Sequence, residues 1–272
     1  MKKATLEEIK LIQLDILKNA RDFCAENNIN YFLDNGTLLG AVRHKGYIPW
    51  DDDIDIGMLR KDFDKFIKLF NEKMANTKYR CYCVSNNKSF YYPFAKICDI
   101  STCLYEPDED GFKGYINIDL FPYDNASNNS KENERLFKKR DRLTALNYLR
   151  NFHTYNSGRF IFLKRIIYCL ILLFPKDYFS KKLVKCMQKF NKCNSNLVGN
   201  FSSFSKVVAN KEIFNSYIDV EFENNTFKAP AGYDKWLKAF YGDYMQLPPI
   251  EKRVSHHSFV CYIPGNGEIE NE

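Results

Sequence analysis

The segment from Tyr31 to Met58 constrains the fold of this chain more than any other part, because it combines a glycine turn, basic residues and clustered aspartates. In its second half, apolar residues alternate with aspartates at the period of a β-strand, which predicts an extended strand over 48–58. Asp51, Asp53 and Asp55 would then lie on one face of that strand. This one stretch therefore predicts both a buried strand and an acidic site.

The predicted acidic face has a physical consequence. Carboxylates within ~7 Å of one another on one side of a strand repel, so the folded protein needs a cation there or must protonate one of them. Clustered carboxylates suit hard divalent cations such as Mg²⁺. A solvated acidic turn is the alternative interpretation, but the alternating isoleucines indicate that the other face is buried and favour the metal site.

The residues before the aspartates predict a site for an anion. Residues 31–33 are typical of a short strand, and Gly36 and Thr37 are typical of a turn in which Thr37 is the N-cap of a following helix. Such a turn presents backbone N–H groups to a phosphate, and Gly36 permits close approach. The helix would end in three basic residues that either reach the same anion or complement the helix C-terminus: Arg43, His44 and Lys45.

These residues resemble the N-terminal signature of the LicD phosphotransferases, in the sequence DNGTLLGAVRHKGYIPWDDDIDIGM. The resemblance extends to GYINIDLFPYD at 114–124 and to FENNTFKAPAGYDKWLKAFYGDYMQLPPIEKR at 222–253, whereas 125–220 carries no sharp motif of the family. It implies a nucleotidyltransferase-like fold, with a Gly-Ser/Thr turn, a D-x-D strand and a third acid on a later strand. This pattern maps onto Gly36-Thr37, Asp53-x-Asp55 and Asp119.

The resemblance also implies a reaction. A phospho-alcohol group, phosphocholine in the type members, would move from a CDP-alcohol to a sugar hydroxyl of a cell-surface glycan or lipid-linked glycan, with release of CMP. CDP-choline is the favoured donor, but the fukutin-related ribitol-phosphate transferases are similar around W-D-x-D-x-D, so the motif leaves the alcohol open. Phosphoryl transfer depends on positioning and charge neutralisation, which Mg²⁺ or Mn²⁺ held by shared carboxylates would supply.

Each aspartate receives an expected role. Asp53 and Asp55 are assigned as metal ligands, and Asp119 as either a third ligand or the base that takes the acceptor proton. Asp51 is a ligand, an orienting group or a structural acid at the turn before it. A nucleotidyltransferase that moves a nucleoside monophosphate from an NTP would use the same carboxylates. An inactive membrane-associated scaffold is a further alternative, which the repulsion among intact aspartates argues against.

Further basic residues are expected at the substrate. Lys96 lies in a predicted strand and is either solvent-facing or, as the resemblance implies, close to the active site and in contact with phosphate. A Pro-rich loop near the C-terminus either closes over the pyrophosphate or is a flexible tail. Its expected substrate-binding residues are Lys252, Arg253 and His256.

The predicted fold class is α/β (α+β), with a nucleotidyltransferase-like mixed-sheet core and an added helical region. Residues 1–124 are expected to form an N-terminal helix, which begins with a capping box, and the catalytic core. Residues 125–200 would form a helical, basic and apolar insertion, and 201–272 a C-terminal part that completes the active site. A helix near 234–241 would end at Gly242.

The segment 159–192 concentrates positive charge, with nine Lys or Arg against the single acid Asp177. It contains the apolar run Ile166 to Phe174, which is shorter than the ~20 residues that span a bilayer. Helices at the surface of an anionic membrane and a core helix with a solvated basic neighbour are equally compatible with this pattern. Nucleic acid is not an expected partner, because no recognised reading motif accompanies the basic residues.

The aromatic and cysteine contents add two expectations. The chain has 18 Tyr and 23 Phe, which either form an aromatic cage for a quaternary ammonium such as choline or fill the core.

Its nine cysteines include no C-x-x-C pair, which indicates a reduced, cytoplasmic protein. Peripheral contact with the inner face of the cell membrane is compatible with this location. Cys81 and Cys83 would share a strand face and either pack in the core or contribute to a zinc site.

Overall fold

The computed structural model of the chain describes residues 1–105, 113–151, 159–253 and 260–264. Within these ranges the helices are α1 (Leu6–Glu26), α2 (Asn35–His44), α3 (Arg60–Lys73), α4 (Ser130–Asn151), α5 (Ile161–Ile171), α6 (Tyr178–Met187) and α7 (Tyr233–Tyr241). The strands are β1 (Lys2–Lys3), β2 (Phe32–Leu33), β3 (Asp55–Leu59), β4 (Tyr79–Tyr82), β5 (Ala95–Tyr105), β6 (Lys113–Asn125), β7 (Leu197–Gly199), β8 (Ala209–Asn210), β9 (Tyr217–Phe222), β10 (Asn225–Pro230) and β11 (Val260–Ile263). The predicted α/β class with a mixed sheet and added helices is confirmed.

The main sheet places β3 between β2 and β6, in the order β1-β11-β5-β6-β3-β2. β3 and β6 run parallel, whereas β6 pairs with β5 in the antiparallel direction. β4 also pairs with β5, β7 and β8 extend the pairing from β6, and β9 and β10 form a separate hairpin. β3 and β6 therefore bring the two aspartate motifs together although more than 50 residues separate them in the chain.

Local signals in the sequence explain where the outer helices begin and end. α1 begins with the predicted capping box, in which Thr5 accepts from the N–H of Glu8 and the Glu8 carboxylate accepts from the N–H of Thr5. α7 ends as predicted at Gly242, whose φ of 65° suits glycine. The apolar sides of α1 and α3 meet in the core, where Phe23 packs edge-on against Phe66.

The predicted strand over 48–58 is wrong in its first half. The N–H of Asp51 donates to the carbonyl of Ile48, which closes a turn, and residues 51–54 form a loop before β3. β3 itself is buried on both faces along Asp55 to Met58, because it is an inner strand with helices around it. The aspartates therefore do not share a single strand face, and only Asp55 belongs to the strand.

The three helices α4 to α6 lie within residues 125–200 and pack among themselves. A hydrophobic cluster of their own joins Leu136 and Phe137 of α4 to Leu183 and Met187 of α6. α5 contacts a smaller cluster through Ile171. Among the residues that the structure describes, no helix is both long and apolar enough to cross a membrane.

A buried ion pair connects this helical region to the sheet. Asp124, near the end of β6, is fully buried and accepts from Arg60 at two nitrogens, at 2.7 and 2.8 Å. The side-chain amide of Asn191 donates to the same carboxylate at 2.6 Å, and the side-chain oxygen of Asn191 accepts from the backbone N–H of Asn125. Asp124 therefore joins α3, β6 and the segment after α6.

The hairpin of β9 and β10 holds the loop that follows α2. Its turn residues Glu223 and Asn224 both have positive φ. The Glu223 carboxylate accepts from the N–H of Tyr47, and the N–H of Glu223 donates to the carbonyl of Lys45. A Cβ at Gly46 would lie 2.1 Å from a Glu223 carboxylate oxygen, so glycine here lets this side chain approach the loop closely.

The cysteines, all nine of which are unpaired, lie mostly in the core. Cys81 and Cys83 are buried there, and the Cys83 sulfur contacts the Ser85 hydroxyl at 3.0 Å. These contacts agree with packing as the role of the two residues.

Candidate active site

The centre of the site is a pair of aspartates on neighbouring parallel strands. Asp55 of β3 and Asp119 of β6 are register partners, so their side chains lie on the same face of the sheet. The backbone fixes both residues, because the N–H of Asp119 donates to the carbonyl of Ile54 and the N–H of Asp55 donates to the Thr37 hydroxyl. Two of the predicted metal ligands therefore meet across a rigid pair of strands.

Thr37 occupies a different position from the predicted one. The N-cap of α2 is Asp34, and Thr37 lies in the first turn of the helix, where it is buried. The prediction was wrong because β2 ends one residue before Asp34, whose carbonyl already accepts from the N–H of Leu38. The Thr37 hydroxyl holds the first residue of β3 and does not line the cavities described below.

Asp34 is a residue that the sequence analysis did not assign. Its fully buried carboxylate accepts from the Tyr123 hydroxyl at 2.6 and 2.7 Å and from the Trp236 indole at 3.4 Å. Burial raises the pKa of Asp34 to about 6, although these hydrogen bonds partly counteract the rise. An aspartate directly after an apolar strand was the available signal, and it indicates a buried acid that anchors α2 to the C-terminal part.

The loop before β3 concentrates the other acids. Ligand oxygens of Asp51, Asp52 and Asp53 lie within 4.8 Å of one another. Asp52, which was not among the predicted site residues, is buried. A Cβ at Gly36 would lie 2.5 Å from an Asp51 oxygen, so glycine at this position lets the start of α2 approach the loop.

The acids act on one another electrostatically. Burial raises the pKa of Asp55 well above its usual range, and Asp53, Asp119 and Asp34 raise it further. In the absence of a cation this arrangement favours a proton on Asp55. The oxygen-rich donor set fits a hard divalent cation, which would relieve the same repulsion. Asp53, Asp55 and Asp119 are the residues that would hold it, with Asp51 and Asp52 beside them.

Lys96 of β5 is directed at this cluster. Its ammonium donates to Asp119 Oδ1 at 2.7 Å and to Asn117 Oδ1 at 3.0 Å. The same ammonium lies 4.9 Å from the centre of the Tyr92 ring and 5.6 Å from that of Phe94. With 18% of its side chain exposed, Lys96 is not the solvent-facing residue of the first alternative.

Two cavities meet at the acidic cluster, and both are lined by Asp53. The first, here called the α2 cavity, has a volume of about 720 Å³ and is also lined by Gly36, Arg43, Trp50, Asp51, Asp55 and Tyr241. The second, here called the aromatic cavity, has a volume of about 360 Å³ and is also lined by Tyr91, Tyr92, Phe94, Lys96, Asp119 and Tyr148. Both volumes are in the range of small-molecule sites.

The structure brings some of the predicted basic residues to the α2 cavity. Arg43 lines it, donates to the carbonyl of Tyr244 at 2.7 Å and to His44 Nε2 at 2.9 Å. Burial and the neighbouring Arg43 lower the pKa of His44, which agrees with a neutral ring that accepts from Arg43. The Arg253 guanidinium lies 5.5 Å from the Trp50 ring centre at the same cavity.

Other predicted residues lie elsewhere. Lys45, the left-handed C-cap of α2, is exposed and lines neither cavity. Lys252 is exposed in the short helix Ile250–Lys252 and lines neither cavity. His256 lies outside the described residues.

Comparison with known proteins gives concordant matches. Residues 28–160 match the family described as LicD/FKTN/FKRP, nucleotidyltransferase domain. The chain is 32% identical over 268 residues to the lipopolysaccharide cholinephosphotransferase LicD of Haemophilus influenzae, which covers 97% of this chain and 100% of that protein. It is 27% and 50% identical over 95 residues to the ribitol 5-phosphate transferase FKRP of Mus musculus and of Homo sapiens. These two matches cover 35% of this chain and 17% of each FKRP protein.

Proposed function

Because the chain belongs to the LicD family, we propose that it transfers a phospho-alcohol group from a CDP-alcohol to a sugar hydroxyl of a cell-surface glycan and releases CMP. The observation that carries the proposal is the meeting of Asp53, Asp55 and Asp119 between two cavities. Two cavities that meet at one acidic cluster suit a CDP-alcohol whose nucleotide and alcohol group lie on either side of the reacting phosphate.

The proposal includes a divalent cation, Mg²⁺ or Mn²⁺, held by Asp53, Asp55 and Asp119. Such a cation, when bound, would neutralise charge on the phosphate oxygens and on the leaving CMP. The mutual repulsion that raises the pKa of Asp55 supports this part of the proposal, because a bound cation removes its cause. Lys96 holds Oδ1 of Asp119, which leaves Oδ2 as the oxygen to meet a metal or a proton.

The α2 cavity is the proposed place of the nucleotide. Arg43 lines it, and the Arg253 guanidinium lies 5.5 Å from the ring centre of Trp50, which also lines it. Guanidinium groups bind phosphate oxygens with defined geometry, and the Trp50 and Tyr241 rings offer faces for a base. His44, which accepts from Arg43, would act by positioning that guanidinium.

The aromatic cavity is the proposed place of the alcohol group, and choline is the favoured alcohol. The rings of Tyr92 and Phe94 already contact a cation, the ammonium of Lys96. Aromatic faces that attract one ammonium group also attract a quaternary ammonium. The buried Asp52 lines the same cavity and adds negative charge.

In the proposed reaction, the acceptor hydroxyl oxygen forms a bond to the β-phosphorus of the donor. The bond from that phosphorus to the bridging oxygen breaks, and CMP leaves with the bridging oxygen. The hydroxyl proton passes to a carboxylate, and Asp119, which lines the aromatic cavity, is the candidate in the alternative in which Asp53 and Asp55 alone hold the metal. The nine unpaired cysteines support a reducing, cytoplasmic location for this reaction.

Product analysis tests the proposed reaction. With CDP-choline labelled in the choline, a glycan acceptor and Mg²⁺, we expect the label on the acceptor and CMP in solution. Pyrophosphate release from an NTP, with the nucleotide on the acceptor, would instead identify a nucleotidyltransferase. Neither product under conditions in which the donor binds would support the inactive scaffold.

Donor binding is expected to depend on the metal. In a thermal-shift panel of CDP-choline, CDP-ethanolamine, CDP-glycerol and CDP-ribitol with Mg²⁺, the cognate donor should raise the melting temperature most. EDTA should abolish that rise, because the pyrophosphate would otherwise meet the negative field of Asp51, Asp53 and Asp55. CMP serves as the control for binding of the nucleotide without the alcohol. An unchanged shift after removal of the metal would contradict the metal-dependent site.

A further inference from the structure

An exposed apolar surface covers α5 and the turn after it. Residues 160–174 present nine large apolar side chains to solvent, among them Phe162 at 79% and Leu173 at 82% exposure. Nearly half of the exposed large apolar side chains of the described residues lie in these 15 positions. We call the surface formed by residues 160–174 the α5 surface. The surfaces of monomeric soluble proteins rarely expose a large contiguous apolar patch unless a partner binds there.

The packing of α5 explains why this surface is available. Ile171 is its one buried residue, and Ile167 and Tyr168 are partly buried. These three side chains contact a small cluster that includes Leu149 of α4 and Phe179 of α6. Apart from Lys164 and Arg165, the other side chains of α5 are apolar or cysteine and lie outside the core, which excludes the core-helix alternative.

A basic groove adjoins the α5 surface. It has a volume of about 620 Å³ between α4 and α6, and four lysines line it: Lys139, Lys182, Lys185 and Lys189. Tyr178 lines the groove as well, and its ring stacks on Phe174 of the α5 surface with 4.6 Å between ring centres. The apolar surface and the lysine groove are therefore continuous.

We propose that the α5 surface and the adjoining groove dock on an anionic membrane. The apolar side chains of α5 would enter the boundary between headgroups and acyl chains, and the groove lysines would contact lipid phosphates. Charge complementarity favours this partner, because nine basic residues and one acid occupy 159–192. A second copy of the chain would bring the same positive charge to the contact and be repelled.

The position of α4 gives this docking a consequence for the reaction, which rests on the proposed function. α4 contacts α5 through Leu149 and also lines the aromatic cavity through Thr144 and Tyr148. One helix therefore lies against both the docking surface and the cavity of the active site. An acceptor glycan carried on a lipid in the same membrane would reach the cavity without leaving the bilayer surface.

Co-sedimentation with vesicles tests the proposal. The full chain should bind phosphatidylglycerol vesicles at low salt, dissociate as salt rises, and bind phosphatidylcholine vesicles weakly, because screening removes the attraction between lysines and lipid phosphates. Absence of binding to phosphatidylglycerol at low salt would overturn the proposal. So would equal binding to both lipids, because the lysine groove would then have no role.

Two variants separate the apolar from the basic part. F162S/L173S and K182E/K185E/K189E should each reduce the vesicle-bound fraction at least ~10-fold. All five side chains are exposed, so the melting temperature should be unchanged. The matched control K61E/K68E/K88E reverses three exposed lysines outside this region and should bind almost as the original chain does. If the control loses binding to the same extent, net charge alone explains the effect, and the proposed docking surface is wrong.

Two further measurements distinguish other outcomes. Light scattering should show that the chain does not self-associate, and a dimer that F162S/L173S dissociates would assign the surface to a second copy and overturn the membrane proposal. Both docking variants should retain turnover with a short soluble acceptor. Vesicle binding without turnover would contradict the proposed function alone, whereas turnover without vesicle binding would contradict the docking proposal alone.

Discussion

Replacement of Asp53 or Asp55 by asparagine is expected to lower kcat at least ~10³-fold, equivalent to about 4 kcal/mol in transition-state stabilisation. Each change removes one negative oxygen from the cluster that would hold the metal, while the side-chain volume is kept. Steady-state kinetics with a saturating CDP-alcohol and Mg²⁺ would measure the loss. Asp64→Asn, which removes an equally negative but exposed group on α3, is the matched control and should keep normal turnover.

The same substitutions are expected to leave the melting temperature unchanged or to raise it, although they lower activity. Without metal, the melting temperature of Asp55→Asn should equal or exceed that of the original chain, because burial and the nearby acids raise the pKa of Asp55 and make its charge unfavourable. With Mg²⁺, the original chain should gain more than the variant. Near-normal turnover in either asparagine variant would show that these carboxylates are not the metal ligands.

Asp124→Ala is expected to lower the free energy of unfolding by about 3–5 kcal/mol, because it leaves the Arg60 guanidinium buried without its carboxylate. It also removes the acceptor of Asn191, which fastens the segment after α6 to the sheet. Urea denaturation followed by circular dichroism would measure the change.

A double variant tests whether the loss of stability comes from leaving one charge buried without its partner. Arg60→Leu with Asp124→Leu should recover part of the lost stability, because both charges are then absent from the interior. Asp219→Ala, at an ion pair with Lys228 in which both side chains are about half exposed, should cost no more than about 1 kcal/mol. A loss below about 1 kcal/mol for Asp124→Ala would show that the pair does not support the junction.

The sequence was sufficient wherever a local signal determines the structure. The capping box at Thr5 and the glycine after α7 act through hydrogen bonds and backbone angles within a few residues. The sequence predicted most members of the acidic cluster, but neither Asp52 nor the geometry of the cluster. The pairing of Asp55 with Asp119 depends on two strands that meet only when the sheet forms, and only the resemblance to a family linked them in advance.

The predictions that were wrong or missing have two physical causes. Alternation over 48–58 satisfied the strand period, yet the turn closed by Asp51 ends the extended segment before β3. Thr37 has the side chain of an N-cap, but the fold uses its hydroxyl for the backbone of Asp55. Asp34 was missed because its partners Tyr123 and Trp236 are remote in sequence. At positions 34 and 37 a tertiary contact determines the role of the side chain, whereas over 48–58 a local turn outweighs the strand period.

The hairpin turn at Glu223 has a consequence for the order in which the protein matures on the ribosome. Glu223 holds the loop after α2, Trp236 contacts Asp34, and the Tyr244 carbonyl accepts from Arg43. The acidic motif is thus fixed by contacts with residues that emerge about 200 positions later in synthesis. Contacts this distant form late in folding. A nascent chain would therefore carry its aspartates in an unfinished arrangement until residues 236–244 have emerged.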